Sequence, residues 1–273
     1  MTETPNYDDH FDAIVVGAGP AGSAAALTMA REGLEVILIE RGAYPGAKNV
    51  FGGVLFTPTI RELVGEAFDD APLERYVSEK QFSLLSEHDE TALSISPGAW
   101  HEEPHNDSYT VLRGNFDEWF AEQAVEAGAT LVTETTVTGL IRENDGGGDD
   151  TGPEAGATGN EGVGANAAAG GDADRGAIVG VKTDRPDGRL RAPIVVLAEG
   201  GNSLVSEGAD LKEPDAPDDV AVAAKEVRKY DRETIEERFN LYEDDGAAYH
   251  YFGDGACGDA VGGGFIYTNK RTL

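Results

Sequence analysis

The chain has 273 residues, 40% of them hydrophobic, and is therefore long enough to bury one large core or two smaller ones. Its 51 acidic residues outnumber its 21 basic residues and give a formal net charge of −30, which argues against nucleic-acid binding because phosphates would be repelled. Such a surface repels itself at low salt, so the composition favours a salt-loving host over the alternative of an acidic protein from a mesophile, and it predicts unfolding in salt-free buffer.

Two further classes of protein are disfavoured. The single cysteine, Cys257, excludes an internal disulfide and cannot by itself hold an iron–sulfur cluster. No apolar run approaches the roughly 20 residues of a membrane-spanning helix, and the amino terminus, MTETPNYDDH, is acidic rather than signal-like. We therefore expect an intracellular protein.

The segment from Phe11 to Glu40 has the order of a dinucleotide-binding unit. Apolar strands are predicted at 13–16 and 36–39 and a helix at about 20–31, and the turn between carries a GxGxxG pattern formed by Gly17, Gly19 and Gly22. Glu40 ends the second strand, at the spacing where an acidic residue accepts the ribose hydroxyls. The alternative is a glycine-rich turn in an ordinary α/β protein, which the two strands and the acid disfavour.

Each part of this pattern has a physical role. Gly17 permits the tight turn, Gly19 lets backbone approach a pyrophosphate, and Gly22 lets helix and strand pack. The helix directs its free amide groups and positive dipole end at the phosphates. The carboxylate of Glu40 would repel a 2′-phosphate, which disfavours an NADP-type adenine half.

The middle of the chain breaks this βαβ rhythm. We expect a ligand-approaching loop at 41–56, a short helix at 59–63, two antiparallel strands within 81–96 with a turn at 87–90, and a strand at 109–112. Asn115 and Glu118 predict a helix start, and the helix should bury a stripe formed by Phe116, Trp119, Phe120, Ala124 and Ala127. Because antiparallel strands intrude here and the glycine turn opens the chain, FAD is favoured over a nicotinamide.

The second half alternates strands with an acidic insertion. Runs at 130–142 and 177–184 are β-prone, and the tract of Gly, Asp, Ala, Asn and Glu at 144–175 is expected to be a disordered insertion at a hairpin tip. The run at 191–201 should return to the sheet that contains 11–16. From Asp219 onward, AVAAKEVRKY and GGGFIYTN predict a second, antiparallel layer.

Two motifs mislead. HEEPH at 101–105 matches the HExxH zinc pattern by letters, but Pro104 prevents the helix that would align both histidines. The glycine-rich GDGACGDAVGGG at 253–264 has no GK[ST] and is not a phosphate-binding P-loop. We nominate no metal ligand.

Longer motifs are more specific. They are DAIVVGAGPAGSAAA at 12–26, ERGAYPGAKNVFGGVLF at 40–56, APLER at 71–75, VLRGNFDEW at 111–119, VLAEGGNS at 196–203 and GGGFIYTN at 262–269. Together they resemble the Fix-type branch of electron-transfer-flavoprotein:quinone oxidoreductases, within the geranylgeranyl-reductase-like FAD flavoproteins. The resemblance covers nearly the whole chain apart from the acidic insertion.

The resemblance implies cofactor-binding residues but no catalytic acid or base. FAD would be held by Gly17, Gly19, Pro20, Ala21, Gly22, Glu40, Arg41, Lys48, Asn49, Gly52, Gly53, Arg113, Val137, Glu199 and Gly200. Of these, Val137 would contact adenine through its backbone, and Lys48, Asn49, Gly52 and Gly53 would lie near the isoalloxazine. Alternatively, Arg113 forms a helix cap or a surface ion pair and Lys48 is a solvated loop residue.

The resemblance also implies fold, domains and partners. We expect an α/β fold with a Rossmann-like FAD-binding domain in two parts, 1–80 and 109–215, and an antiparallel-sheet cap or substrate domain in two parts, 81–108 and 216–273. Electrons would pass from an electron-transfer flavoprotein toward quinone or a ferredoxin-like iron–sulfur subunit. The location implied is cytoplasmic, with peripheral contact at the inner membrane face through a missing region.

Two departures and two rival functions remain. Glu199 stands where many relatives have Asp, and the family's late Gly-Asp motif does not appear, so we expect an incomplete polypeptide that lacks its carboxy-terminal part and holds FAD weakly. The rivals are a geranylgeranyl or other prenyl reductase and a non-catalytic dinucleotide-binding fragment.

Overall fold

The computed structural model describes residues 11–49, 52–103, 105, 108–143, 176–253 and 262–273. In its first half the elements are β1 (Ala13–Val16), α1 (Pro20–Arg31), β2 (Val36–Ile39), β3 (Gly52–Phe56), α2 (Pro58–Val64), β4 (Leu73–Leu85), β5 (Glu90–Ile95), β6 (Ser108–Leu112) and α3 (Arg113–Glu126). In its second half they are β7 (Thr130–Val132), β8 (Val137–Arg142), β9 (Ile178–Thr183), β10 (Arg189–Arg191), β11 (Ile194–Leu197), α4 (Leu204–Gly208), α5 (Arg232–Phe239), β12 (Asp245–Gly253) and β13 (Gly262–Tyr267).

A parallel sheet with the order β11-β1-β2-β7 forms the centre of the first layer. All residues of β1 and β2 are buried, as expected of parallel strands covered on both faces. Because side chains alternate along a strand, Ala13 and Val15 pack toward α1 and α3, whereas Ile14 and Val16 pack toward the antiparallel sheet β10-β9-β8. The return of the 191–201 run beside β1 is confirmed.

Helix α3 covers one face of this sheet. Phe116, Phe120 and Ala124 are fully buried, and Trp119 and Ala127 pack against the same cluster, so the predicted stripe is confirmed. The helix begins at Arg113 and no side chain caps it, so the predicted start at Asn115 and Glu118 is wrong. The strand β6 leads directly into the helix, which leaves no turn for a capping box.

The second layer is a sheet with the order β13-β12-β4-β6-β3, and β5 also pairs with β4. The predicted strands near 81–96, 109–112 and 262–267 are therefore confirmed. The layer is mixed rather than purely antiparallel, because β12 runs parallel to β4. The last part of the predicted 41–56 loop is strand β3, in which Gly52 lets the neighbouring strand approach: a Cβ there would lie 2.7 Å from the carbonyl oxygen of Val111.

Of two other strand predictions, one is confirmed in part and one is wrong. The run at 130–142 is two strands in different sheets, since the chain turns between them where Glu134 adopts a positive φ of 52°. Within the described residues, 220–229 contributes only the bridge between Lys229 and Thr272. Its β-prone side chains are exposed, up to 103% for Val222, and β propensity alone does not form a strand without a packed neighbour.

The remaining predictions concern short helices and segments that the structure does not describe. The short helix near 59–63 is confirmed as α2, whereas α4 and α5 were not predicted. The 144–175 insertion, Cys257 and most of the 253–264 glycine run lie outside the described residues.

The proposed domain boundaries at 80/81 and 108/109 fall inside β4 and β6, and the division into domains stays a prediction. In the described part of the chain, no helix combines the length and apolarity needed to cross a bilayer.

Candidate functional site

A cavity of about 560 Å³ opens at the carboxyl ends of β1, β2 and β11. Ligands of open parallel sheets bind at this edge, where the loops that follow the strands form much of the wall. The residues lining the cavity include Gly17, Gly19, Pro20, Ala21, Glu40, Arg41, Lys48, Asn49, Arg113, Val137, Glu199 and Gly200. Twelve predicted cofactor residues from separate parts of the chain therefore surround one space.

The glycine turn between β1 and α1 requires glycine for different reasons at its three positions. Gly17 has a positive φ of 97°, and a Cβ there would lie 2.5 Å from the carbonyl oxygen of Ala198. Gly22 faces the turn itself, since its Cβ would lie 1.8 Å from the carbonyl oxygen of Gly17, and it does not line the cavity. The Cβ of Gly19 would meet only Arg113 Nη2, at 3.9 Å, so this position is open toward the cavity.

The amino-terminal end of α1 meets the cavity at Gly19 and Pro20. No side chain caps the helix there, and its first turn contains no acidic residue. The first amide groups of a helix have no partner within it, so they are available to a ligand. A diphosphate fits this end in both hydrogen bonding and dipole direction.

Glu40 lies beside the same turn, after β2. One carboxylate oxygen accepts a hydrogen bond from the amide of Ala18 at 3.1 Å, and the other accepts one from the amide of Gly42 at 2.7 Å. These bonds direct the carboxylate toward the glycine turn. A carboxylate oxygen has more than one lone pair, so each retains capacity for a ribose hydroxyl.

Arg113 and Asp117 form an i,i+4 pair on the first turn of α3. Arg113 Nε donates to Asp117 Oδ1 at 2.7 Å, and Nη2 donates to Oδ2 at 2.9 Å. The Asp117 side chain is 2% exposed, and its burial raises its pKa, as does the nearby charge of Glu40, while Arg113 opposes the rise. The ion-pair alternative for Arg113 is thus present, and the guanidinium also lines the cavity.

Glu199 has a different local role from that of Glu40. Its carboxylate accepts hydrogen bonds from the amides of Val205 and Ser206, at 2.8 and 2.9 Å, and from the Ser206 hydroxyl at 2.6 Å. The longer side chain that distinguishes it from Asp reaches these donors at the start of α4. Gly200 follows with a positive φ of 69°, which turns the chain along the cavity wall.

The remaining predicted residues divide between the cavity and the second layer. Lys48 and Arg41 are exposed at the cavity rim. The backbone amide of Asn49 donates a hydrogen bond to the carbonyl oxygen of Gly46. Val137 begins β8 and is buried. The two glycines of β3, Gly52 and Gly53, are buried in the mixed sheet and are not brought to the cavity wall.

Sequence reasoning missed several cavity residues. Asp117 was assigned to the helix without a role, although an acid four residues after Arg113 is a recognisable helix-pair signal. Thr135 and Thr136 were hidden within the run at 130–142. The amide of Thr136 donates to Asp184 Oδ1 at 3.0 Å, and this bond holds the pKa of Asp184 below its usual range.

A second polar cluster lies in the mixed sheet, and its composition is that of an acyl-transfer triad. Ser96 Oγ lies 3.3 Å from His101 Nε2, and His101 Nδ1 lies 3.2 Å from Asp245 Oδ1. The Ser96 hydroxyl also donates to the carbonyl oxygen of Ser78 at 2.9 Å, and this shorter contact competes with His101 for the hydroxyl proton, so we assign the cluster no catalytic role. His105 instead stacks on Tyr76, and within the described residues no set of His, Cys, Asp and Glu forms a metal site.

Comparison with known proteins agrees with a flavin site. The family described as FAD dependent oxidoreductase matches residues 12–184. Protein FixC of Bradyrhizobium diazoefficiens is 41% identical over 97% of this chain and 54% of its own length. The probable electron transfer flavoprotein-quinone oxidoreductase YdiS of Escherichia coli is 38% identical over 97% of this chain and 54% of its own. The chain thus spans about half the length of these relatives, and the resemblance to Fix-type proteins is confirmed.

The fold comparison gives the same architecture. A geranylgeranyl bacteriochlorophyll reductase-like protein from Thermoplasma acidophilum matches with a TM-score of 0.59 at 20% identity, over 96% of this chain and 57% of its own. At that identity the likeness shows the fold alone. The family match covers more than half of the chain, and it includes the glycine turn, Glu40 and Arg113. The chain therefore belongs to the FAD-dependent oxidoreductase family, whose cofactor is FAD.

Proposed function

We propose that this chain holds the adenine dinucleotide of FAD in an oxidoreductase that takes electrons from an electron-transfer flavoprotein and passes them toward quinone. The observation that carries the proposal is the convergence of the glycine turn, Glu40 and Arg113 on one cavity. The printed name of the Escherichia coli relative supports the choice of electron donor and acceptor.

The roles we propose follow from the chemistry of the cavity wall. The open backbone at Gly19 and the uncapped start of α1 would bind the diphosphate. Glu40 would accept ribose hydroxyls, and Val137 would contact the adenine through its backbone. Arg113 would add a positive charge beside the diphosphate, because its Nη2 lies 3.9 Å from the position of a Cβ on Gly19.

The redox chemistry belongs to the flavin, which exchanges electrons with the two partners when it is bound. The chain's own residues bind and orient the cofactor and exclude water from the buried part of the cavity. We propose no catalytic acid or base. Lys48, Asn49, Gly52 and Gly53 are proposed to lie on the isoalloxazine side, where backbone groups of the loop and of β3 would set its surroundings.

Three partner proposals remain open to test. A ferredoxin-like iron–sulfur subunit is proposed as a further partner because the resemblance to Fix-type proteins implies one. Peripheral contact with the inner face of the membrane is proposed because quinones are dissolved there. An electron-transfer flavoprotein is the proposed donor.

The test begins with a titration of FAD into the full chain at high salt, followed by flavin fluorescence. Saturable quenching is expected. The loaded protein should then be mixed anaerobically with reduced electron-transfer flavoprotein and a soluble quinone, and the reduction of the quinone should be followed, because electron exchange between two flavins leaves their summed absorbance nearly unchanged. Quinone reduction that requires the FAD-loaded chain would support the proposal. Saturable FAD binding without electron transfer would leave a dinucleotide-binding role and refute the assigned partners.

A further inference from the structure

Asp117 is a buried carboxylate in the wall of the cofactor cavity. Its side chain is 2% exposed, whereas that of Arg113 is 24% exposed. The two hydrogen bonds between them, at 2.7 and 2.9 Å, use both carboxylate oxygens and two nitrogens of the guanidinium. Such a paired contact fixes the plane of the guanidinium as well as its position.

The orientation set by this pair directs Arg113 toward the glycine turn. Arg113 Nη2 lies 3.9 Å from the position that a Cβ on Gly19 would occupy. The hydrogen bonds to Asp117 use Nε and Nη2, so other N–H groups of the guanidinium remain for a ligand. A phosphate at the uncapped end of α1 would lie within the region that these groups face.

Asp117 also lies where the loop before β3 meets α3. Gly46 has a positive φ of 86°, and a Cβ there would lie 3.0 Å from Asp117 Cβ and 2.9 Å from the carbonyl oxygen of Arg113. The backbone of the loop therefore rests directly on the first turn of α3. This contact limits how far Asp117 can move and thereby limits the movement of Arg113.

The fold alone gains little from an ionised carboxylate at this place. Burial and the charge of Glu40 both raise the pKa of Asp117, and the interaction with Arg113 only partly offsets them. Arg41, Lys48 and Glu199 are the other charged residues that line the cavity. A group whose charged form is disfavoured by its surroundings, in a ligand cavity, is a candidate for a role toward the ligand.

We propose that Asp117 is a positioning residue that holds Arg113 against the glycine turn, so that the guanidinium meets the diphosphate of the dinucleotide. This inference rests on the proposed function, because it takes FAD as the occupant of the cavity. Asp117 itself would not touch the cofactor.

The test compares dissociation constants of FAD and of ADP for the full chain and for Asp117→Asn, measured at high salt. Asparagine keeps the shape and one hydrogen-bond acceptor but removes the charge that orients Arg113. We expect both ligands to bind on the order of tenfold more weakly, the value of one charge-assisted hydrogen bond. The midpoint of urea unfolding without ligand should not fall below that of the wild type, because burial already disfavours the charged form of Asp117.

A double-mutant cycle separates positioning from a structural role. If Asp117 acts through Arg113, then Asp117→Asn should cause no further loss of affinity in the Arg113→Met background. Glu236→Gln is the matched control. Like Asp117, Glu236 accepts hydrogen bonds from arginine side chains, in this case those of Arg75 and Arg232, but it lies in the second layer. This variant should leave both dissociation constants unchanged.

The outcomes are distinct. Unchanged affinity in Asp117→Asn, or the same loss in both backgrounds, would overturn the inference while leaving the proposed function intact. If the wild-type chain binds neither FAD nor ADP, the proposed function fails and the role of Asp117 fails with it. Should Asp117→Asn not fold, Arg113→Lys replaces it, since lysine keeps the charge but cannot make the paired contact, and wild-type affinity in that variant would contradict the inference.

Discussion

Two arginine–carboxylate pairs lie in different layers of the molecule, and they differ in which of the two partners is buried. In the mixed sheet the arginine is hidden: Arg75 is 0% exposed and its partner Glu236 is 22% exposed. At the cavity the carboxylate is hidden: Asp117 is 2% exposed and Arg113 is 24% exposed. We interpret a buried arginine as the sign of a structural pair, and a buried carboxylate with an accessible arginine as the sign of a ligand-binding pair.

The hydrogen bonds of the two arginines support this distinction. Arg75 donates to the carbonyl oxygens of Asn269, Glu243 and Asp245, at 3.0, 2.7 and 2.9 Å, and to Glu236 at 3.1 Å. Nearly all of its donors are engaged within the protein, so it joins β4 to α5 and to the ends of β12 and β13. Arg113 bonds only to Asp117 among the described contacts and keeps donors free at the cavity.

The largest expected effect is that of Arg75→Met. Removing the guanidinium leaves the buried carbonyl oxygens of Asn269 and Asp245 without this donor, each at a cost of about 1–3 kcal/mol, while Glu236 keeps its hydrogen bond from Arg232. Urea unfolding at high salt should show this loss in the free energy of unfolding. Arg228→Met is the control, since Arg228 and Glu226 are 62% and 71% exposed, and it should change the free energy by less than about 0.5 kcal/mol. A loss below about 1 kcal/mol for Arg75→Met would contradict the structural role assigned to this pair.

The next effect concerns the turn that Arg113 faces. In Gly22→Ala the new Cβ would lie 1.8 Å from the carbonyl oxygen of Gly17, so α1 must move away from the turn. We expect a loss of about 1–3 kcal/mol in the free energy of unfolding, and weaker FAD binding because the amide groups move with the helix. Gly208→Ala on α4 is the matched control, since its Cβ would meet no atom within 4 Å. Equal stability and affinity in the two variants would show that the turn tolerates a side chain.

The contrast between the two layers also explains how much could be predicted from the sequence. The strands β1 and β2, the turn at Gly17 and the acid at Glu40 form one local unit, in which each residue type has a single geometric reason to be there. Pairing between distant segments is less visible: Gly52 and Gly53 suggest a loop by composition, yet they form a strand because β6 lies beside them. Strand β12 and its parallel pairing with β4 depend on contacts across most of the chain.

The same limit applies to the site. Single residues such as Arg113 and Glu199 could be named from motifs, whereas their partners could not, because partnership is a property of the fold. Glu199 is the instructive example, since only the position of α4 shows that its carboxylate holds the amides of Val205 and Ser206. Asp117 was within reach of the helix-pair rule and was missed because its burial depends on how the loop at Gly46 packs.

A smaller effect is that the two pairs change the free energy of unfolding in opposite ways as the pH changes. Hydrogen bonds from Arg232 and Arg75 lower the pKa of Glu236, so its contribution to stability is present at neutral pH and is lost as the pH falls through that lowered pKa. Burial raises the pKa of Asp117, so its ionisation costs stability as the pH rises through the raised value. We expect about 1 kcal/mol or less for each, since both pairs reach solvent.

Unfolding of the ligand-free protein at a series of pH values tests these signs. Glu236→Gln should remove part of the loss of stability seen at acid pH, and Asp117→Asn should remove part of the decline toward neutral pH. The two variants should therefore differ from the wild type in opposite directions at pH 7. A shift in the same direction for both would contradict the proposed difference between a structural pair and a ligand-binding pair.

The smallest expected effect is that of replacing 144–175 with a short Gly-Ser linker. The hairpin ends are tied outside this tract, because the amide of Glu143 donates to the carbonyl oxygen of Ala177 at 2.9 Å and Arg142 Nη1 donates to that of Gly176 at 3.1 Å. Shortening the loop fourfold should raise the free energy of unfolding by only about 1 kcal/mol. The dissociation constants of FAD and ADP should stay unchanged, because this end of the β8–β9 hairpin lies away from Val137 at the cavity. A large loss of affinity would show that the acidic tract takes part in the site.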